Sequence, residues 1–273
     1  MKKQTTKKIA IITGASSGLG REFVKQISKS RALDEIWVIA RRKDRLEEVR
    51  RLSKTALRPI PLDLTEKSSF EVLRHALEEE KPDVRFLVNA AGVGKIGLTK
   101  ELSVQENDQM IDLNCRAAVD MTLTVLPYMS RGSELINICS VAGFQPLTGL
   151  NTYAATKAFL LHWTKALHHE LLPSGIRVTA LCPYWVKDTE FIPAAKETDY
   201  APISQDGAGD GSGAVRNFYF AGHAKYVVRQ ALRASRLNLW VCAPGAVAKA
   251  ERLISWVLPD CVIVPVWDIL RRL

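Results

Sequence analysis

Cysteine is scarce and unpaired in this chain: Cys115, Cys139, Cys182, Cys242 and Cys261 are odd in number, far apart, and form no CxxC pair. Most sit in apolar stretches, which argues against a disulfide framework and for buried thiols in a reducing, cytoplasmic compartment. Metal-ligand spacing is also missing. His168 and His169 are adjacent, point to different sides of a helix and make a poor chelate, so no metal is expected. The opening MKKQTTKKIAIITG is basic, but its apolar run is too short for a signal-peptide core and leads straight into a glycine turn. No solenoid repeat and no interdomain linker interrupts the chain. The formal net charge is +9, yet no basic run is interleaved with aromatics. A nucleic-acid partner is therefore not expected, and a basic surface around a phosphate-bearing ligand accounts for the charge.

With 273 residues, 47% of them hydrophobic, the chain can bury the core of one large domain. Near-continuous apolar runs at 8–13, 35–40, 57–64, 84–92, 134–140, 176–183 and 238–244 read as buried strands. Between them lie helical patterns at 18–30, 42–54, 66–80, roughly 104–130, 151–172 and 225–235. The alternation predicts an α/β fold: a Rossmann-like, doubly wound, seven-stranded parallel sheet with helices on both faces, in three α/β/α layers. Residues 1–245 form the expected catalytic domain, with the Gly- and Asp-rich 188–222 as a mobile substrate lid. Residues 246–273 are an apolar extension.

TGASSGLG (13–20) follows the first strand and opens a helix, with Gly14, Gly18 and Gly20 spaced GxxxGxG. Such a turn brings backbone N–H groups close to a pyrophosphate at a helix N-terminus. At the end of the second strand an NAD site usually carries an acid for the ribose 2′-hydroxyl, about 20 residues after the glycines. Here VIARRKD places Ala40 there, followed by Arg41 and Arg42. Guanidinium suits a 2′-phosphate, and arginine is a poor choice for a helix's first turn, so NADP(H) is expected over NAD.

Tyr153 and Lys157, at i and i+4, share one helix face, and Ser140 ends the fifth strand. Carbonyl reduction builds charge on oxygen, which needs a proton donor and a second hydrogen bond. A tyrosine is a reluctant acid at neutral pH, and a nearby cation lowers its pKa. Ser133 and Ser16 are alternatives to Ser140 with less suitable positions in the chain.

TGASSGLG, LDL with Asp63, NAAG (89–92), Asn114, Ser140 and YAATK (153–157), in that order, resemble the short-chain dehydrogenase/reductase (SDR) family over nearly the whole chain to about residue 245. The resemblance implies Tyr153 as general acid in reduction and general base in oxidation, with Ser140 orienting the carbonyl. Lys157 would lower the Tyr153 pKa and bond the nicotinamide ribose, and Asn114 would hold a water in a proton relay. Asp63 and Leu64 would flank the adenine, and Asn89 would steady the central strand beside the cofactor. The implied cofactor contacts are Gly14, Ser16, Ser17, Gly18, Leu19, Gly20, Arg41, Arg42, Asp63, Leu64, Asn89, Ala90, Ala91, Gly92, Tyr153, Lys157, Pro183, Val186 and Thr189. Asn151 and Thr152 are expected to cap the helix that carries Tyr153.

CPYWVKDTEF departs from the family pattern: Tyr184 replaces a glycine after Pro183, and Thr189 lies one residue late. Tyr184 and Trp185 either line the substrate pocket or pack the base of the lid. The extension ERLISWVLPDCVIVPVWDILRRL (251–273) is apolar, but Pro259, Asp260, Pro265 and Asp268 argue against a spanning helix. Packing against a partner subunit or over the substrate mouth is preferred to peripheral membrane contact. The family is usually a homodimer or homotetramer through the helices near 104–130 and 151–172. The expected activity is NADP(H)-dependent hydride transfer between a ketone or aldehyde and an alcohol, on a small hydrophobic molecule such as a steroid, bile acid or acyl-derived carbonyl. A catalytically silent NADP-binding scaffold is the alternative. A nucleotide-sugar epimerase would usually need another glycine spacing and a larger C-terminal domain.

Overall fold

The seven strands form one parallel sheet in the order β3-β2-β1-β4-β5-β6-β7. They run Lys8–Thr13 (β1), Glu35–Ala40 (β2), Ala56–Pro61 (β3), Asp83–Asn89 (β4), Glu134–Ile138 (β5), Arg177–Leu181 (β6) and Val241–Cys242 (β7). The computed structural model describes residues 6–197 and 220–271; the central part of the expected lid, 198–219, lies outside the described residues.

Strand alternation builds two cores. In β1 and β2, Ala10, Ile12, Ile36 and Val38 face α1 (Gly18–Ser30), α2 (Lys43–Val49) and α8 (Ala224–Arg236), meeting Phe23, Ile27, Leu46 and Val228. The intervening Ile9, Ile11, Trp37 and Ile39 face α3 (Lys67–Glu80), α5 (Ala117–Val125) and α6 (Asn151–Leu171), meeting Leu73, Leu77, Met121 and Leu167. Both faces of each central strand are thus dry, which is why these strands read as continuous apolar runs. Each fully buried Ile or Val contributes roughly 1.5–3 kcal/mol. Pro59 and Pro61 are tolerated because β3 is an edge strand.

Sheet order reverses between β1 and β4, and the crevice at their carboxyl ends is where ligands bind in such sheets. Several boundaries differ from the sequence reading. β3 stops at Pro61, so Asp63 and Leu64 belong to the loop over the crevice. β7 has only Val241–Cys242, because Asn238 takes a left-handed φ of 54° and the residues before the strand turn. The expected helix 104–130 is instead α4 (Val104–Ile111), a π turn at Asp112–Arg116, α5, and a short turn at Leu126–Tyr128. Leu150, not Asn151 or Thr152, is the N-cap of α6. Those two already lie in the first turn, where their side chains bond sideways to Thr99 and Asn107.

Beyond β7 the chain forms α9 (Ala246–Val257) and α10 (Asp260–Leu270), turned at Pro259. The indole Nε1 of Trp267 donates to the Thr148 carbonyl at 2.9 Å, and Asp268 and Arg271 bond the Thr148 hydroxyl. No helix among the described residues is long and apolar enough to cross a membrane.

Candidate active site

The phosphate end starts from a pinned turn. Thr13 closes β1, and its Oγ1 accepts hydrogen bonds from the Ala90 and Ala91 amides at 3.0 Å each. This fastens β1 to the NAAG loop after β4. Gly14 has φ +62°, and a Cβ there would meet the Ala90 carbonyl oxygen at 2.6 Å; one at Gly20 would meet the Gly14 carbonyl oxygen at 2.3 Å. Only glycine allows turn, loop and helix to pack this closely. Ser17 is the N-cap of α1 without a side-chain cap, and no acid lies in the first turn, so the positive helix end faces the crevice uncompensated.

Beside it lies a charged edge. Arg42 is the N-cap of α2, so Arg41 and Arg42 precede that helix rather than fill its first turn. Arg41 lies 3.9 Å from Asp63. Burial raises the Asp63 carboxyl, but the Thr65 amide and hydroxyl, with Arg41, more than offset this and leave it below the usual range. Glu190 bonds Arg45 and, at 3.4 Å, Arg42. The Arg45 guanidinium, assisted by Arg42, holds the Glu190 carboxyl below its ordinary value against some desolvation.

The reactive end gathers on α6. Tyr153, Thr156, Lys157, Leu160, Thr164 and His168 share its buried face. Burial pushes the Tyr153 phenol well above its ordinary pKa, and a hydrogen bond with Ser140 lowers it in part. The Lys157 ammonium is 5.6 Å from the Tyr153 ring centre and donates to the Ile138 carbonyl at 2.8 Å. Burial lowers its own pKa. The sequence predicts Lys157 as the group that tunes the phenol; the structure sets its ammonium beside the Tyr153 ring and adds Ser140 as a second influence. Ser140 caps the Val141–Gly143 turn, its Oγ accepting from the Ala142 amide at 3.1 Å. A Cβ on Gly143 would sit 2.7 Å from the Lys157 carbonyl oxygen, so glycine lets this turn press onto α6 and bring Ser140 to Tyr153. Ser133 precedes β5 and donates to Val84 O, and Ser16 belongs to the glycine turn, so neither competes for the role.

One cavity of about 460 Å3 unites the two ends. Of the expected site residues, Gly14, Ser16, Ser17, Gly18, Leu19, Gly20, Arg41, Arg42, Asp63, Leu64, Ala90, Ala91, Gly92, Ser140, Tyr153, Lys157, Pro183, Val186 and Thr189 line it. Asn89 does not. As a strand residue it alternates away from the crevice, and its amide donates to Asn137 Oδ1 at 2.9 Å and Thr122 Oγ1 at 3.0 Å, joining β4 to β5 and α5. Its bonds tie the strand below the loop, and it is absent from the cavity lining. Asn114 also stands behind the wall, in the π turn. Its Oδ1 accepts from Val93 N and its Nδ2 donates to Val93 O and Thr156 Oγ1, which in turn donates to the Tyr153 carbonyl. A π turn of this kind often marks a functional site.

Thr189 hangs over the glycine turn, 3.4 Å from where a Gly18 Cβ would be. Phe191 opens the short α7 (Phe191–Lys196), and its ring lies 5.5 Å from that of Tyr153. Tyr184 and Trp185 both line the cavity, as do Gln145, Glu251 and Trp267, which sequence reasoning missed. None of these three belongs to a motif, and only the fold brings α9 and α10 to the opening.

Burial alone pushes the Glu251 carboxyl up to about 7. Unfolded, it would titrate at about 4.3. A folded pKa raised above the unfolded one gives stability that is complete below about pH 4.3 and is lost as pH rises through about 7. Glu251→Gln cannot ionise, so its Tm relative to the parent rises between pH 4 and pH 8 in scanning calorimetry. A difference independent of pH would remove Glu251 as the cause.

The model of the family described as short chain dehydrogenase matches residues 8–199. The chain belongs to the short-chain dehydrogenase family. An uncharacterized oxidoreductase of Staphylococcus epidermidis is 32% identical over 195 residues, 71% of this chain and 82% of that one. Among solved structures, a short-chain dehydrogenase from Sphingobium yanoikuyae in complex with NADPH aligns with TM-score 0.71 at 25% identity, covering 90% of this chain and 92% of that one. A short-chain dehydrogenase/reductase from Burkholderia phymatum in complex with NAD shares the fold with TM-score 0.72 at 22% identity, over 87% and 88%. This chain is thus an SDR-family oxidoreductase, on a fold that takes a nicotinamide dinucleotide. Both forms of the cofactor occur among its structural neighbours.

Proposed function

We propose that the protein is an NADP(H)-dependent reductase or dehydrogenase that interconverts a ketone or aldehyde and its alcohol. The observation that carries this is that Ser140, Tyr153 and Lys157 line the same cavity as a glycine turn edged by arginines. The residues fit a dinucleotide: an uncapped helix N-terminus for the pyrophosphate, Arg41 and Arg42 for a 2′-phosphate, Asp63 and Leu64 by the adenine, Lys157 near the ribose. When bound, the cofactor supplies or accepts the hydride.

The chain's own groups then manage the proton. Ser140 and Tyr153 converge on the position of the carbonyl oxygen, so that both donate to it as charge develops. Tyr153 gives its proton to that oxygen in reduction and removes it in oxidation. In an apolar pocket a phenolate is costly, so Tyr153 starts protonated, as an acid must. The buried Lys157 cation favours the phenolate that proton transfer leaves behind. Asn114 and Thr156 hold the helix turn that presents Tyr153.

Oxidation of NADPH, followed by its absorbance against a panel of ketones and aldehydes that includes sterols and bile acids, tests this reading. Turnover with NADPH preferred over NADH is expected. A protein that binds NADPH and reduces nothing would favour the silent scaffold. Exposed Val104, Ile111, Leu123 and Phe159 on α4, α5 and α6 support the expectation of a homo-oligomer through these helices. Light scattering should give a mass above the protomer's, reduced by Phe159→Glu. A monomeric parent would sink it.

A further inference from the structure

Two polar side chains in the cavity have no part in moving the hydride or the proton. Gln145 follows the Val141–Gly143 turn, and its Oε1 is buried without a hydrogen-bond partner. Glu251 reaches the same cavity from α9, which packs against that turn. Desolvation is the one influence that shifts its carboxyl, with no cation to offset it. Its charge is felt by Tyr184, whose phenol is raised first by burial and then by Glu251. Around these groups the wall is apolar: Leu147, Leu150, Trp185, Phe191 and Trp267.

A buried acceptor left unpaired is costly, so few are left without a purpose. The amide of Gln145 could be turned to present its nitrogen instead. Glu251 sets the sign of the site, because a carboxylate only accepts and a carboxylic acid still accepts at its carbonyl oxygen. A substrate with a plain hydrocarbon end would strand both groups away from water. One with a carboxylate end would be repelled by Glu251. A hydroxyl or an ammonium group would satisfy them.

We infer that Gln145, Tyr184 and Glu251 form a second recognition point in the cavity, which binds a hydrogen-bond donor carried by the substrate apart from its reacting carbonyl. The substrate class is then an amphipathic hydroxy- or amino-ketone, or the matching diol or amino alcohol, with an apolar body between its two polar ends. The carbonyl end of this assignment rests on the reductase reading above; the donor end rests on the cavity alone.

The test uses linear 2-ketones of six to twelve carbons ending in methyl, hydroxyl, ammonium or carboxylate. Dissociation constants are measured calorimetrically on full-length protein saturated with NADP+, and turnover with NADPH is recorded separately. At its best chain length a hydroxyl- or ammonium-ended ketone should bind about tenfold more tightly than the methyl-ended one, the effect of one good hydrogen bond, and the carboxylate should bind worst. Glu251→Leu should reverse that order in favour of methyl. Glu251→Gln, of the same shape, should keep the hydroxyl preference and lose the ammonium one. Tightest binding of the methyl ketone at every length, no measurable binding of a donor-ended ketone, or an order unchanged by Glu251→Leu would each overturn the inference. Turnover without the donor preference would sink the second site and spare the reductase. The preference without turnover would do the opposite.

Discussion

Tyr153→Phe lowers kcat by about 10²–10⁴-fold, the usual value of a positioned general acid–base, and leaves NADPH affinity nearly unchanged. The reasons lie in what phenylalanine keeps. Its ring fills the same space between Leu150, Ala154 and Phe191, so the cluster around the mouth stays packed. Ser140 loses one partner but still accepts from the Ala142 amide. Lys157 keeps its bond to Ile138, and the glycine turn lies at the other end of the cavity. Only the proton donor is gone. Ser140→Ala removes one of two donors to the oxygen and keeps the acid, so its loss should be the smaller of the two. Single-turnover kinetics together with an NADPH titration check the split. A variant that keeps the parent rate would sink the proposed role of Tyr153. A loss of rate accompanied by equal loss of NADPH binding would show that the ring, and not the hydroxyl, was needed.

The pieces of this site that were legible in the sequence are those set by local geometry. Tyr153 and Lys157 share a face because they are four residues apart on a helix. The glycine turn had to follow β1, and Ser140 had to lie at the carboxyl end of β5, because motif and strand are contiguous in the chain. Residues whose place depends on a distant partner were not legible. Asn89 sits inside the NAAG motif, yet the strand's alternation turns it toward Asn137, 48 positions away. The π turn around Asn114 inserts into an apparently regular helix with no glycine or proline to announce it. Glu251 and Trp267 reach the cavity through the docking of α9 and α10, in which Trp267 and Arg271 donate hydrogen bonds to Thr148 and Asp268 accepts one from its hydroxyl, while Gln145 enters from the loop after the Val141–Gly143 turn. The apolar tail was recognisable, and its outward side chains such as Trp256 and Ile269 are indeed exposed, but which of its faces meets the site is a tertiary fact.

Arg42→Ala should lower the preference for NADPH over NADH by about ten- to hundredfold, mainly by weakening NADPH, since a charge-assisted bond to a phosphate is worth about 1.5–3 kcal/mol. Glu190→Gln should shift the ratio the other way. The Glu190 carboxylate binds Arg42 and Arg45 across 148 and 145 positions of sequence, and thus competes with any 2′-phosphate for the same guanidinium groups. Removing its charge leaves those groups for the phosphate. The gain should be only several-fold, because the pair is half exposed and screened by water. Both shifts should shrink at high salt, as surface electrostatics do. NADH, which lacks the 2′-phosphate, serves as the internal control, and fluorescence titration with each dinucleotide reads the ratio without relying on turnover. Opposite signs for the two variants mark Arg42 as a phosphate ligand and Glu190 as its competitor. An unchanged ratio in Arg42→Ala would return the cofactor assignment to NAD, whereas a weaker NADPH complex in Glu190→Gln would make Glu190 a support for the arginines instead of a rival to the phosphate.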